Sequence, residues 1–286
     1  MKIIRTKYDM TEFVSRQKAR GTSIGFVPTM GALHEGHLSL VRESVRGNNV
    51  TVVSLFVNPV QFNNKEDYDK YPRTEEEDFT KLAAENVDAV FAPNVEEIFP
   101  EETNHLPKKY ELGSVENVME GIYRPGHFQG VARILDILFR LIMPDRAYFG
   151  EKDFQQIAVV RNMVKSEGLS VDIIACPIKR DSDGLALSSR NTRLSPEMRK
   201  IAPEIYNTLK YSVEYSKEHS VKATHDTVVE RIDAIPGMMV EYFDIVDART
   251  LETIDEWEES PWVVGCITVY CNDVRLIDNI TYRLPK

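Results

Sequence analysis

Two histidines three residues apart, His34 and His37, are the side chains in this 286-residue chain whose spacing first suggests chemistry. They lie in PTMGALHEGH (28–37), between a short apolar run and a segment with helical periodicity. The first N–H groups of a helix lack internal partners and carry partial positive charge, so a turn of this kind is suited to an anion. Gly31 and Gly36 allow the backbone to turn tightly and approach a ligand closely.

Three roles for the two histidines compete. A zinc site would need a third ligand nearby, but no cysteine is close and the His-Glu-x-x-His spacing is absent. Capping or packing would be the ordinary role of a single histidine. Two of them in a glycine-punctuated turn favour phosphate binding, although the pattern is neither a Walker loop nor G-x-G-x-x-G.

Composition narrows the class of protein. Hydrophobic residues make up 42% and charged residues 28%, which is typical of a soluble globular chain. The formal net charge of −10 argues against a general nucleic-acid binder. We expect no membrane association, because no apolar stretch is long enough to span a bilayer and the N-terminus lacks a secretory signal. The odd set Cys176, Cys266 and Cys271 favours free thiols in a cytoplasmic protein.

Apolar runs alternate with helix-like segments up to about residue 178. We predict strands over 23–28, 50–59, 87–93, 146–150 and 169–177, and helices over 36–49, 74–87, 130–144 and 153–168. Thr74 and Glu77 are predicted to form a capping box. Strands separated by helices call for right-handed crossovers and a parallel sheet. Residues 1–180 are therefore predicted to form an α/β, Rossmann-like, doubly wound domain.

The pattern changes after residue 180. One helix is predicted over 195–220, with Ser195 as N-cap and Pro196 at its first position, followed by a second helix over about 222–235. Strands are predicted over 238–247, 261–271 and 274–282. Residues 181–286 are therefore predicted to form a smaller α+β domain, acting as a lid beyond a hinge near 180–195.

Other polar groups follow predicted strands. Lys152 stands where a strand ends and could meet a phosphate, although the neighbouring Asp153 and Gln156 could simply cap a helix. Asn58 and Gln61 could form an exposed turn, or offer a hydroxy acid a donor and an acceptor. The acidic run 75–78 is interpreted mainly as favourable charge at a helix N-terminus, with proximity to Mg²⁺ as the weaker alternative.

At this point a resemblance is evident. His34-Glu35-Gly36-His37 resembles the His-x-Gly-His signature of the nucleotidylyltransferase and class I aminoacyl-tRNA synthetase superfamily. The longer string FVPTMGALHEGHLSLV is similar to the pantoate–β-alanine ligase (pantothenate synthetase) family. The resemblance continues, in order, through VSLFVNPVQF (53–62), DYDKYPRT (67–74), YRPGHFQGV (123–131), PDRAYFGEKDFQQ (144–156) and DGLALSSRN (183–191).

This resemblance implies a cytoplasmic, homodimeric ligase. It would condense (R)-pantoate with β-alanine through a pantoyl-adenylate, consuming ATP with Mg²⁺ and releasing AMP and pyrophosphate. The implied ATP contacts are Met30, Gly31, Ala32, Leu33, His34, Glu35, Gly36, His37, Gly150, Glu151, Lys152, Asp153, Lys179, Leu187, Ser188, Ser189 and Arg190. Pantoate and β-alanine would meet Gln61, Gln156, Met30 and Asn58, and catalysis would rest on His37, His34, Lys152, Ser188, Ser189 and Arg190. No protein side chain is expected to ligate a metal.

The segment LSSRN (187–191) would be a solvent loop if taken alone. It resembles the superfamily's Lys-Met-Ser-Lys-Ser signature, with Leu187 where the family has methionine. Two hydroxyls and a guanidinium suit the β- and γ-phosphates of ATP. Further basic and aromatic side chains either border the site or form a solvated surface: Tyr71, Arg73, Arg124, His127 and Arg133.

Two other functions stay open. A nucleotidylyltransferase would retain a nucleotidyl conjugate as its product, whereas a ligase would release AMP and an amide. A non-catalytic nucleotide-binding module would be stabilised by ATP without turnover. A tRNA synthetase is disfavoured because the chain is short, acidic and without an evident anticodon-binding domain.

Overall fold

The computed structural model describes residues 1–100 and 108–285. The chain divides into two compact units. Unit 1 comprises Met1–Glu116, Gly121–Glu151 and Gln156–Cys176, and unit 2 comprises Asn117–Glu120, Lys152–Gln155 and Pro177–Lys286. In the described part of the chain, no helix is long and apolar enough to cross a membrane.

Unit 1 is built on a parallel sheet. Its strands are β1 (Lys2–Ile4), β2 (Ile24–Thr29), β3 (Val50–Leu55), β4 (Ala89–Phe91), β5 (Arg146–Gly150) and β6 (Asp172–Cys176). Among the described residues these form one sheet in the order β1-β4-β3-β2-β5-β6, and every neighbouring pair is parallel. The predicted doubly wound α/β fold of the N-terminal part is confirmed.

Helices connect these strands and continue into unit 2. They are α1 (Lys7–Ala19), α2 (Glu35–Gly47), α3 (Lys65–Asp69), α4 (Glu75–Ala84), α5 (Val95–Ile98), α6 (Glu120–Tyr123), α7 (His127–Ile142), α8 (Phe154–Ser166), α9 (Pro196–Ile201), α10 (Glu204–Tyr215) and α11 (Val221–Asp233). Short 3-10 helices cover Pro59–Gln61, Ser114–Glu116, Glu151–Asp153, Ser189–Arg193 and Trp257–Glu259.

The order of the strands creates a switch point beside β2. The chain runs outward from β2 through β3 to β4, and later returns to place β5 on the other side of β2. In open α/β sheets, ligands bind outside the carboxyl ends of the strands where the order reverses. The loop after β2 and the last residues of β5 lie at this position. Helix α2 packs on β2, β3 and β5, so its N-terminus is anchored there.

The first strand and helix were missed from sequence. Strand β1 has three residues, and only Met10, Phe13 and Val14 are buried on α1. So few apolar positions give a weak periodic signal. Local features of other elements were predicted well: α7 ends at Ile142 just before Pro144, with Met143 in the left-handed conformation as C-cap.

Two local predictions were wrong. Thr74 makes no capping hydrogen bond, because its backbone (φ −132°, ψ 47°) departs from the extended conformation that aims an N-cap side chain at the helix. The helix predicted to begin at Ser195 does so, with Ser195 Oγ accepting from the Met198 N–H, but it ends at Ile201. Pro203 lacks an N–H and a second helix starts after it, so α9 and α10 are separate.

Unit 2 contains an antiparallel sheet and two helices that cover it. Strands β7 (Met238–Asp247), β8 (Val263–Cys271) and β9 (Val274–Arg283) pair in that order. Helix α10 packs on α11 and β9, and α11 packs on β7, around a shared apolar core. This confirms the smaller α+β fold predicted for the C-terminal part.

A buried ion pair ties an earlier segment into unit 2. The carboxylate of Glu120 accepts hydrogen bonds from Arg275 at 2.6 and 2.9 Å and from the Tyr242 hydroxyl at 3.0 Å. Both the Glu120 and the Arg275 side chains are largely shielded from solvent. Removing one partner of such a pair would leave an uncompensated charge, so these contacts hold residues 117–120 on the sheet.

The core of unit 2 provides a stability test. Ile232 on α11 is fully buried in this core, and Ile232→Ala should lower the free energy of unfolding by about 2–5 kcal/mol because a cavity replaces the side chain. Urea denaturation followed by circular dichroism measures the loss. Glu230→Ala, at an exposed position of the same helix, is the matched control and should change the stability by less than about 0.5 kcal/mol. Equal losses in both variants would contradict this packing.

Candidate active site

The two histidines meet at the N-terminus of α2. His34 is the N-cap residue, and its Nδ1 accepts a hydrogen bond from the Gly36 N–H at 3.1 Å. The backbone N–H of His34 in turn donates to Nδ1 of His37 at 3.3 Å. The ring centroids are 4.0 Å apart, with 34° between the planes. The rings therefore lie side by side, each oriented by a backbone N–H.

These contacts determine which ring nitrogen carries the proton. An Nδ1 atom that accepts from an N–H holds no proton in the neutral ring, so the proton of each neutral imidazole is on Nε2. His34 and His37 therefore each offer an Nε2–H donor beside the positive end of the α2 dipole. Two donors with a helix N-terminus are a favourable arrangement for an anion, and phosphate binding here stays a prediction.

The loop between β2 and α2 adopts a left-handed turn. Gly31 has φ 81° and Ala32 has φ 49°. A non-glycine residue in this region of φ is held there by its surroundings. The holding contact comes from Asp78 on α4, whose two carboxylate oxygens accept from the Ala32 and Leu33 N–H groups, both at 2.8 Å. Lys81 on the same helix donates to the Leu33 carbonyl at 2.8 Å.

Asp78 is a structural acceptor in this geometry. It is 1% exposed, and its two oxygens are occupied by the loop. The backbone N–H groups of Ala32 and Leu33, both predicted ATP contacts, are used in the same bonds. Across residues 1–100 and 108–285, no cluster of three or more His, Cys, Asp or Glu side chains is arranged to hold a metal ion.

Three of the predicted pantoate and β-alanine residues form one network. Asn58, 1% exposed, donates through Nδ2 to Gln61 Oε1 at 2.9 Å and to the Gly130 carbonyl at 3.1 Å. Gln61 then donates through Nε2 to Met30 Sδ at 3.1 Å. The amide of Gln61 is therefore fixed from both sides. Asn58 is buried and fixes the position of this amide through its hydrogen bond to Gln61 Oε1.

His127 fixes the backbone of Gln61 through a hydrogen bond. Because Arg124 donates to Nε2 of His127 at 3.1 Å, the ring proton is on Nδ1, which donates to the Gln61 carbonyl at 2.8 Å. Helix α7 approaches this turn closely: a Cβ on Gly130 would come within 2.3 Å of the Val60 carbonyl oxygen. His127 and Arg124, which the sequence left open between a site role and a solvated surface, thus act through Gln61.

In unit 2, Lys152 and the loop at 185–191 line one cavity. Its walls include Lys152, Ser188, Asn191 and Asp278. The Lys152 side chain is only 17% exposed, and its Nζ lies 3.7 Å from Asp153 Oδ1. Burial raises the pKa of the Asp278 carboxyl, while hydrogen bonds and charge from Arg180, and the charge of Lys152, oppose this. A cation and a serine from separate chain segments therefore line one small cavity, whose other walls are mainly apolar: Leu185, Ala186, Ile205, Leu276 and Ile277.

The loop at 185–191, the serine loop, is a capped turn. Ser188 Oγ accepts from the Arg190 N–H at 3.2 Å, at the start of the 3-10 helix Ser189–Arg193. The Leu187 N–H donates to the Lys179 carbonyl at 2.9 Å, so the strand-like approach to Ser188 is paired with the chain before it. Ser189 is buried, while Ser188 and Arg190 are half-buried.

The remaining predicted residues have simpler environments. Gly36, Gly150, Glu151 and Gln156 are half-buried, whereas Asp153 and Lys179 are exposed. Glu35 is exposed and forms an ion pair with Arg42.

Sequence reasoning missed the residues that support these groups. Asp78 was interpreted as helix-terminal charge or a neighbour of Mg²⁺, and Lys81, Asp278 and Asn279 were not considered. A usable signal existed for the last two, since adjacent Asp and Asn lie between Leu276 and Ile277 on one side and Ile280 on the other. A buried polar residue in such a strand needs a partner.

Comparison with known proteins identifies relatives along almost the whole chain. A family model described as pantoate-beta-alanine ligase matches residues 2–281. A curated pantothenate synthetase of Porphyromonas gingivalis is 52% identical over 283 residues, covering 99% of this chain and 100% of the relative. One of Bacteroides fragilis is 51% identical over 283 residues, covering 99% of both chains.

Solved structures share the fold. The crystal structure of pantothenate synthetase from Thermus thermophilus is 42% identical, with a TM-score of 0.92, covering 99% of this chain and 100% of that one. The pantoate-beta-alanine ligase of Francisella tularensis, crystallised in complex with "Beta-gamma ATP" and β-alanine, is 33% identical with a TM-score of 0.82. It covers 99% of this chain and 98% of its own.

The Asp78 contact can be tested without any assumption about substrate. Asp78→Asn replaces one acceptor oxygen by an NH₂ group that faces a backbone donor. We expect it to lower the free energy of unfolding by about 1–3 kcal/mol, because a buried N–H loses its partner. Hydrogen–deuterium exchange of the peptide covering 30–34 should accelerate.

The matched control is Glu76→Gln on the same helix, where the side chain is exposed. In this control, hydrogen–deuterium exchange of the peptide covering 30–34 should equal that of the unmodified protein. Unchanged exchange in Asp78→Asn would refute the anchoring role of this carboxylate.

Proposed function

The chain belongs to the pantoate-beta-alanine ligase family, and on this premise we propose how its residues carry out the ATP-dependent condensation of pantoate with β-alanine. The observation that carries the proposal is the pair of imidazoles at the start of α2, whose Nδ1 atoms both accept backbone N–H groups and whose Nε2–H groups are therefore donors. Such donors fit the charge that develops on phosphate oxygens.

The first step activates a poor acyl donor. The pantoate carboxylate attacks the α-phosphorus of ATP, bound as its Mg²⁺ complex. The bond from the α-phosphorus to the bridging oxygen breaks, and pyrophosphate leaves. In the second step the amine of β-alanine attacks the acyl carbon, the bond to AMP breaks, and the amine loses a proton. The protein positions the reactants and stabilises charge at phosphorus, and it supplies no covalent nucleophile.

In unit 1, His34 and His37 are the proposed donors to the nucleotide phosphates. For His37 the geometry favours hydrogen bonding over proton transfer. A neutral ring that gave up its Nε2 proton while Nδ1 accepts from His34 would become an imidazolate. Protonating both nitrogens would instead break that backbone bond. We propose that His37 stabilises the departing pyrophosphate as a neutral donor.

In unit 2, Lys152 is the proposed α-phosphate ligand, and Ser188, Ser189 and Arg190 are the proposed ligands of the β- and γ-phosphates. The support is the shared cavity bordered by Lys152 and Ser188 and the capped backbone that presents the serine loop. Charge-assisted hydrogen bonds of this kind are stronger than neutral ones and favour a fixed geometry.

Pantoate and β-alanine are proposed to bind beside Met30, Gln61, Asn58 and Gln156. The support is the braced amide of Gln61, whose orientation is set by Asn58 and by Met30. A fixed neutral amide can serve the hydroxyl and carboxylate of pantoate without the repulsion that an acidic side chain would cause. The role of Asn58 is indirect, because its own donor group is already used.

We also propose that the protein is a cytoplasmic homodimer, as the resemblance implied. Sedimentation equilibrium of the purified chain tests this assembly directly.

Product analysis decides between the ligase and a nucleotidylyltransferase. With ATP, Mg²⁺, pantoate and β-alanine, we expect AMP, pyrophosphate and an amide in equal amounts. Omitting β-alanine should leave pantoate-dependent ATP–pyrophosphate exchange intact, because the adenylate still forms. Omitting pantoate should abolish both the exchange and the formation of the amide. A stable product that keeps the nucleotidyl group would contradict the ligase.

The role of His37 is tested by His37→Ala. Loss of one donor to developing charge should lower the rate of pantoate-dependent ATP–pyrophosphate exchange by roughly 10²–10³-fold. His219→Ala, at an exposed histidine of unit 2, is the control and should leave the rate unchanged. A near-normal rate of ATP–pyrophosphate exchange in His37→Ala would show that His37 does not stabilise the departing pyrophosphate.

The pantoate assignment is tested by Gln61→Glu. The added carboxylate would repel the pantoate carboxylate, so KM for pantoate should rise about tenfold or more, while KM for ATP changes little. Steady-state kinetics with each substrate varied in turn measures both. A rise confined to KM for ATP would show that pantoate does not bind beside Gln61.

A further inference from the structure

We propose that Asp278 and Asn279, adjacent residues on β9, are positioning residues for the two phosphate-contacting segments of unit 2. The inference rests on the proposed function, since it explains how Lys152 and the serine loop are held. Both residues are buried, at 5% and 7% exposure. Buried polar side chains in a strand are costly unless their hydrogen bonds are satisfied, and here the partners belong to those two segments.

Asn279 holds the backbone of Lys152. Its Nδ2 donates to the Lys152 carbonyl at 3.1 Å, across 127 residues of sequence. Its backbone N–H donates to Asp278 Oδ1 at 2.8 Å, so the Asp278 carboxylate is fixed against the backbone of Asn279. Lys152 lies in the 3-10 turn that follows β5, and a tethered carbonyl limits how far this turn can move.

Asp278 holds the approach to the serine loop through Arg180. The two side chains form a bidentate pair, with N–O distances of 2.6 and 2.8 Å. The Arg180 guanidinium also donates to the Gly184 carbonyl at 3.2 Å and lies 3.6 Å from the centroid of the Tyr206 ring. A bidentate pair with a planar guanidinium gives geometric specificity as well as energy.

Arg180 is part of a short hairpin that leads into Ser188. The backbone of Arg180 bridges Ala186 in antiparallel fashion, and the Asp181 N–H donates to the Leu185 carbonyl at 2.8 Å. The side chain of Asn191 donates to the Ala186 carbonyl at 3.0 Å and closes the loop from its other end. A shift of Arg180 would therefore displace the serine loop.

Asp278 itself lines the cavity that Lys152 and Ser188 border. One strand thus carries, at consecutive positions, the anchor of the lysine turn and the anchor of the serine hairpin. The distance between the α-phosphate ligand and the β,γ-phosphate ligands would be set by this pair. A purely structural pair would stabilise unit 2 without affecting how Lys152 acts in the reaction.

The test is a double-mutant cycle between Asn279→Ala and Lys152→Met, read by pantoate-dependent ATP–pyrophosphate exchange. We expect Asn279→Ala alone to lower the kcat of exchange between about tenfold and about 100-fold, with KM for pantoate unchanged, because the groups that contact the phosphates are misplaced. In the Lys152→Met background, Asn279→Ala should lower the rate further by less than about twofold, since residues that act through one another are not additive.

Tyr282→Phe on the same strand is the matched control. It removes a buried hydrogen bond to Ser212, at 2.6 Å, that touches neither phosphate segment. It should lower the melting temperature while leaving kcat within about twofold. If Asn279→Ala does not fold, Asn279→Ser, whose hydroxyl is too short to reach the Lys152 carbonyl, takes its place with the same expected values.

Wild-type kcat in the Asn279 variant, or an equal loss with and without Lys152, would overturn the positioning role. The proposed function is checked separately on the unmodified protein. If that protein forms no AMP and amide from ATP, pantoate and β-alanine, the ligase assignment fails. If it does and the cycle is additive, only the present inference fails.

Discussion

The carboxylate of Asp78 is the contact on which the loop before α2 depends. It accepts two backbone N–H groups at 2.8 Å and holds Gly31 and Ala32 in the left-handed region. That turn places His34 at the N-cap, and the N-cap geometry in turn orients both imidazoles through their Nδ1 atoms. A single buried carboxylate on α4 therefore supports the turn that orients both imidazoles, at a helix N-terminus of the kind that is favourable for an anion.

Hydrogen bonds from other elements also orient Gln61, at the proposed pantoate position. Gln61 is fixed by Asn58 and Met30 through its side chain, and by His127 through its carbonyl. Satisfied polar networks of this kind restrict side chains to one geometry and reduce the entropy lost when a substrate binds. The close approach that this network needs is possible because Gly130 has no Cβ at the turn.

The net charge of −10 would oppose an anionic substrate at long range. Local donors at short distance compensate for this field, because interactions in a partly buried site are screened less than those at the surface. In unit 2 the acidic Asp278 lies in the wall of the same cavity as Lys152, yet its charge is taken up by the bidentate pair with Arg180. Lys152 lines this cavity and also lies 3.7 Å from the Asp153 carboxylate.

The sequence by itself determined the fold class, the order of most strands and helices, and the family, because periodicity and contiguous motifs are local properties of the chain. It also predicted phosphate binding at His34 and His37, since a strand, glycines and a helix start follow one another directly. Only the tertiary structure decided which residues orient that chemistry. Asp78 acts across 45 and 46 residues, His127 across 66 and Asn279 across 127. Such contacts arise when distant segments pack together, and no local pattern indicates which distant segment each of these side chains contacts.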